Sequence, residues 1–157
     1  MRAAAILGLG CSPESLKPFQ TDLSTHWQIG LPSAMDEADV IMLFGGDGTI
    51  HRHLSQLVKL GLPVLVVPAG SGNDFARALG LRRVRDSLKA WQRFCAAQGN
   101  VRTIDLGVIT PLLNQDAVEA PSPGPQGRSG MRVRIPCTER ADLPRNPAAD
   151  APSMSSA

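Results

Sequence analysis

Cysteine, charge and long apolar runs are all scarce in this sequence, and each scarcity narrows what the chain does. Cys11, Cys95 and Cys137 are widely spaced and odd in number, so they form neither a CxxC pair nor a disulfide framework. A reducing, cytoplasmic compartment is the expected setting. A formal charge of +2 gives no electrostatic footprint for nucleic acid. No run approaches the roughly 18 apolar residues that cross a bilayer. The opening Met1-Arg2-Ala3-Ala4-Ala5-Ile6-Leu7-Gly8-Leu9-Gly10-Cys11 could be read as an export signal with a lipid-modified cysteine. The strand-and-helix pattern that follows favours a first buried strand.

Two nucleotide-binding signatures are also missing. No Lys follows the glycines as the Walker-A pattern G-x-x-x-x-G-K-[ST] requires, and Gly8-Leu9-Gly10 lacks the third glycine of a Rossmann fingerprint.

What is present divides near residue 110. Ala3–Leu9, Val40–Phe44, Val64–Val67 and Val101–Ile109 are short aliphatic runs suited to strands buried on both faces. Between them, Ile50, Leu54, Leu57 and Val58 share one helical face, as do Val84, Leu88, Trp91 and Cys95. Ser12 and Pro13 read as a helix start. Alternation at this spacing predicts an α/β fold with an open, mainly parallel sheet and helices on both faces.

Residues 111–157 read differently. They hold eight of the thirteen prolines, no aromatic residue and no evident apolar period beyond Leu113. Such a segment does not offset the roughly 1–2 kcal/mol of backbone entropy per ordered residue, and is expected to be a disordered tail.

The chemistry concentrates in two glycine loops. Gly45-Gly46-Asp47-Gly48-Thr49 follows a strand and opens a helix, where free N–H groups and the helix dipole favour an anion. Glycines there permit positive φ and close backbone approach. Asp47 would repel phosphate unless a divalent cation lies between them, which points to Mg²⁺ carried with a nucleotide. Thr49 can cap the helix or donate to a phosphate oxygen. The plainer reading is a tight turn in which Asp47 caps a helix and binds nothing. A second loop, Ala69-Gly70-Ser71-Gly72-Asn73-Asp74, leaves the end of the next strand. Two such loops at the carboxyl edge of a parallel sheet are where open α/β folds bind ligands. Ser71 can donate to phosphate; Asn73 and Asp74 can cap the helix or orient a nucleotide.

Gly45-Gly46-Asp47-Gly48-Thr49, followed by Pro68-Ala69-Gly70-Ser71-Gly72-Asn73-Asp74-Phe75-Ala76-Arg77, resembles the diacylglycerol kinase catalytic family. The first motif is shared with NAD kinases and phosphofructokinases, whereas the second singles out the lipid kinases. Asp105-Leu106-Gly107 resembles the family's next strand, so the likeness covers roughly residues 1–109. It implies an ATP-binding domain over 1–110, of the NAD kinase and phosphofructokinase N-terminal type. In it Gly45, Gly46, Asp47, Gly48, Thr49, Gly70, Ser71 and Asn73 hold ATP, and Asp47 serves catalysis and meets Mg²⁺ through the nucleotide. The implied reaction passes the γ-phosphoryl group to a lipid hydroxyl at the inner face of a membrane. The family's second, β-rich lipid-binding domain has no counterpart after Thr110, which suggests a frameshift or truncation. The chain is then either the nucleotide half of a lipid kinase or a catalytically silent fragment; a soluble NAD kinase relative is the third reading. A sheet left without its partner lobe is expected to self-associate.

His51 and His53, two apart on a helix, face different sides and make no metal pair. Arg77, Arg82, Arg83 and Arg85 form a basic cluster read as a solvated helix face, with attraction to an anionic membrane as the alternative.

Overall fold

The computed structural model describes residues 1–21, 23–107 and 131–136. Its elements run β1 (Arg2–Leu7), a 3₁₀ segment (Pro13–Phe19), β2 (His26–Ile29), β3 (Val40–Gly45), α1 (Asp47–Leu60), β4 (Val64–Pro68), α2 (Asp74–Ala78), α3 (Val84–Cys95), β5 (Val101–Leu106) and β6 (Met131–Pro136). The 3₁₀ segment starts after Ser12 as the sequence suggests. Pro18 within it has no N–H for an α-helical ladder, which accounts for its tighter winding.

Strands β2-β1-β3-β4 form one sheet, every pair parallel. Alanines fill β1 because helices and neighbouring strands crowd it on both sides: Ala3, Ala4 and Ala5 have no exposed surface. Side chains alternate between two apolar layers. Ala3, Ala5, Val40, Met42 and Phe44 face the 3₁₀ segment and α3; Ala4, Ile6, Ile41 and Leu43 face α1. This is the expected sheet with helices on both faces.

Several expectations shift. Edge strand β2 was not foreseen, because a four-residue strand with exposed His26 and Ile29 carries little apolar signal. The buried arc of α3 is Ser87, Ala90 and Trp91, whereas Val84 and Cys95 face solvent. Two small residues let α3 lie close to the sheet, where the Ser87 hydroxyl donates to the Val66 carbonyl at 2.8 Å. A search for large apolar residues overlooks that arc.

The expectation for the segment after residue 110 is corrected at residues 131–136. They form β6, antiparallel to β5, with Val133 and Ile135 buried and Arg132 and Arg134 outside. The alternation has the period of two expected of a half-buried strand, and proline counting hid it. Arg132 reaches Asp105 on β5 at 3.0 Å. The other residues of 111–157 lie outside the described residues. Strand β5 also departs from its expected place: it pairs with β6 rather than joining the parallel sheet.

Candidate functional site

Register assembles the site. Leu7 of β1 pairs with Phe44 of β3, and Gly45 of β3 pairs with Pro68 of β4. The carboxyl ends of the three strands are therefore level, and the segments leaving them emerge side by side. Chain order along the sheet reverses between β1 and β3, and such a reversal is where open α/β sheets form a ligand crevice.

The glycines here serve close approach. None of Gly45, Gly46, Gly48, Gly70 or Gly72 has a positive φ, so of the two uses that glycine permits here it is close approach that operates. A Cβ on Gly70 would lie 2.6 Å from the Gly46 Cα, and one on Gly46 would lie 3.0 Å from the Gly70 Cα. The two loops touch backbone to backbone, and a methyl group on either forces them apart. Likewise a Cβ on Gly8 would meet the Thr49 Oγ1 at 2.6 Å. Gly8 thus belongs to the site although its G-x-G context was weak evidence in the sequence.

The left-handed residue of the second loop is Asn73, at φ 58°. Asn tolerates this region better than most residues, and here its side chain stabilises it. Its Oδ1 accepts the Gly70 N–H at 2.9 Å and its Nδ2 donates to the Gly70 carbonyl. Asn73 therefore shapes the loop around Gly70.

Asp47, the first residue of α1, points across to α2. Its Oδ2 accepts the Asp74 N–H and its Oδ1 the Phe75 N–H, each at 3.0 Å. These amides, Phe75 first and then Asp74, hold its carboxyl below the usual carboxylate range. Asp47 thus caps the helix of the other loop and locks the two loops together. Each oxygen keeps further acceptor capacity. Asp74 itself pairs with Arg77 at 2.7 Å, which takes one arginine out of the basic cluster.

A cleft of about 550 Å³ lies among these segments, lined by Leu9, Gly46, Asp47, Gly48 and Thr49 with Arg52, Ala69, Gly70, Ser71 and Gly72. All the candidate residues but Gly45 and Asn73 line it; those two stand behind it as backbone supports. Arg52 was missed. Helical spacing places it one turn from Gly48 and Thr49, on their face of α1, which was the available signal. His51 and His53 do not line this cleft. Among the described residues no three His, Cys, Asp or Glu groups gather as a metal site.

The family of the diacylglycerol kinase catalytic domain matches residues 14–109. The chain is 44% identical over 79 residues to a diacylglycerol kinase of Bacillus subtilis, covering 49% of this chain and 25% of that protein. It is 38% identical over 71 residues to a diacylglycerol kinase of Mycobacterium tuberculosis, covering 45% of this chain and 22% of that one. The match thus spans about a quarter of the length of these relatives. An NAD kinase from Archaeoglobus fulgidus, solved in complex with ATP, shares the fold at a TM-score of 0.50 and 18% identity, covering 67% of this chain and 41% of that one. With both loop motifs inside the matched span, this chain belongs to the diacylglycerol kinase catalytic domain family.

Proposed function

We propose that residues 1–110 are the nucleotide-binding half of an ATP-dependent lipid kinase and bind Mg·ATP in the cleft between the two glycine loops. The observation that carries this reading is the mutual contact of Gly46 and Gly70, which leaves a surface of backbone and small side chains where phosphates can approach. The start of α1 presents its dipole, Arg52 adds a positive charge, and Thr49 and Ser71 offer hydroxyls.

The donor set suits a cation that arrives with the nucleotide. One carboxylate with spare acceptor capacity, Asp47, meets the habit of Mg²⁺ to bind through one or two carboxylates plus phosphate oxygens and water. A cation there would neutralise charge on the transferring phosphoryl group. In the reaction, the lipid hydroxyl oxygen forms a bond to the γ-phosphorus, the bond to the β-phosphate oxygen breaks, and ADP departs. The hydroxyl proton passes to a base outside this cleft, because the amides that hold Asp47 below the usual carboxylate range make it a poor proton acceptor. We assign the lipid-binding lobe to residues other than 1–110 and the site of action to the inner membrane surface, reached from the cytoplasm. Among the described residues no helix is long and apolar enough to cross a membrane.

Calorimetric titration of Mg·ATP tests the reading, with two variants. Asp47→Ala is expected to abolish binding, but it also removes two charged hydrogen bonds to α2 and costs about 1–3 kcal/mol of stability. Arg52→Ala leaves the loops intact and is expected to weaken binding about tenfold, roughly 1.4 kcal/mol. No heat of binding from a chain shown by circular dichroism to be folded overturns the proposal and leaves a silent fragment.

A further inference from the structure

One edge of the parallel sheet is unpaired. Strand β2 ends the strand order, with β1 on one side and no strand among the described residues on the other. Register fixes which of its backbone groups face out. The His26 N–H donates to the Met1 carbonyl and the Gly30 N–H to the Ala5 carbonyl, each at 2.8 Å. In a parallel ladder alternate residues turn to the same neighbour, so His26, Gln28 and Gly30 serve β1. The N–H and C=O groups of Trp27 and Ile29 therefore point away from the sheet. Natural edges are blunted by Lys, Pro, a bulge or an inward-pointing charge. His26-Trp27-Gln28-Ile29 holds no Lys, Pro or acidic residue, and its register with β1 runs one to one without a bulge. Apolar surface accompanies the edge: Leu23, ahead of β2, is 98% exposed, and Ile29 is 60% exposed.

We propose that β2 pairs with β2 of a second copy of this chain, antiparallel about a two-fold axis at Gln28. Trp27 of each copy then stands opposite Ile29 of the other. Both residues turn their N–H and C=O groups outward, so each such pair exchanges two hydrogen bonds. Trp27 packs against Trp91, and alternation puts Ile29 on that same face of the sheet. Each cross-strand pair is thus aromatic against β-branched, a favourable combination. Gln28 meets its own copy across the axis, where an amide both donates and accepts. A strand of four residues with its flanks falls short of the roughly 20–30 residues a side of a standard interface. The dimer is accordingly weak, with a dissociation constant on the order of 10–100 µM. Pairing joins two parallel sheets into one and leaves the cleft between the glycine loops open, since that cleft lies over the ends of β1, β3 and β4. It does not depend on the kinase reading.

Sedimentation velocity of the whole chain over about 1–500 µM, with hydrogen exchange at both ends of that range, tests the proposal. A reversible monomer–dimer equilibrium is expected. The Trp27 and Ile29 amides should gain protection as concentration rises, while that of Gln28, already bonded to β1, stays as it is. Ile29→Pro removes only an N–H that faces away from β1, so circular dichroism should be unchanged and the dimer lost. Ile29→Lys places like charges at the edge and should weaken the dimer at least about tenfold, which decides the matter if the proline variant does not fold. A monomer at every concentration overturns the inference, as does a dimer that Ile29→Lys leaves intact. Protection of the Trp27 and Ile29 amides that is independent of concentration assigns the edge to the chain's own residues and overturns it equally.

Discussion

The two faces of the parallel sheet are built from adjacent residues of the same strands, yet they are filled differently. One face is aromatic: Phe19 and Phe44 meet edge to face at 5.4 Å, and Trp91 packs against Trp27 and Phe94. There the Trp91 indole N–H donates to the Phe19 carbonyl at 3.1 Å. The other face is almost wholly aliphatic, with only Phe75 at its margin, and holds the cavity beneath α1. Protein interiors are close-packed, and the cavity of about 360 Å³ is a gap in the second face among the described residues. The unfilled face adjoins the loops that carry the proposed chemistry, so a difference in packing coincides with a division of labour.

The comparison is broken most forcefully on the aromatic face. Phe44→Ala is expected to cost about 3–5 kcal/mol in denaturant unfolding, because a close-packed ring leaves a void that cannot collapse. A much smaller loss would mean that this face is no better packed than the other. Enlarging substitutions sharpen the contrast. Leu65→Phe, at a fully buried position on the aromatic face, should cost about 1–3 kcal/mol through overpacking. Leu54→Phe, which projects into the cavity, should be neutral or stabilising by up to about 1 kcal/mol. Equal penalties would show the two faces to be equally full.

Acid brings a smaller effect. Asp47 is held low by the Phe75 and Asp74 amides, and Asp39 by the backbone N–H and guanidinium of Arg2. Folding thus weakens proton binding at both groups. Their contributions are complete above an unfolded value of about 3.9 and are lost as pH falls through the lower folded values. The doubly substituted Asp39→Asn, Asp47→Asn chain should therefore show a flatter decline in stability below about pH 4 than the parent. An unchanged slope would remove both carboxylates as acid-sensitive ties. Smallest of all, Arg52→Ala should alter unfolding by no more than about 0.5 kcal/mol, since Arg52 is an exposed side chain on α1. A larger loss would recast Arg52 as a structural residue and weaken its use as a probe of the cleft.

Much of this could be read along the chain. The aliphatic runs located β1, β3 and β4 within two residues at each end, because strands buried on both faces need little else. Gly61, in the left-handed conformation, ends α1 as helix-stop chemistry requires. Both glycine loops were legible because motif and position between strand and helix agreed. Strand β6 was equally legible in Met131-Arg132-Val133-Arg134-Ile135-Pro136, but a count of prolines outweighed its alternation. Ser87 and Ala90 were illegible as core, since small residues become core only when a sheet lies within reach.

By itself the sequence determined that the chain alternates strand and helix, that glycines fall at strand ends, and that one carboxylate stands among them. Local propensity and periodicity suffice for such features because they depend on neighbours a few residues away. Only the tertiary structure decided what the glycines are for. Strand register set Gly46 against Gly70 and Gly8 against Thr49, and the contact between loops made Asp47, which lines the cleft, also the cap of α2. Gly46 and Gly70 lie far apart along the chain, and Asp47 is equally remote from Asp74. Their meeting is fixed by the level ends of parallel strands, a property of the assembled sheet that no local pattern encodes.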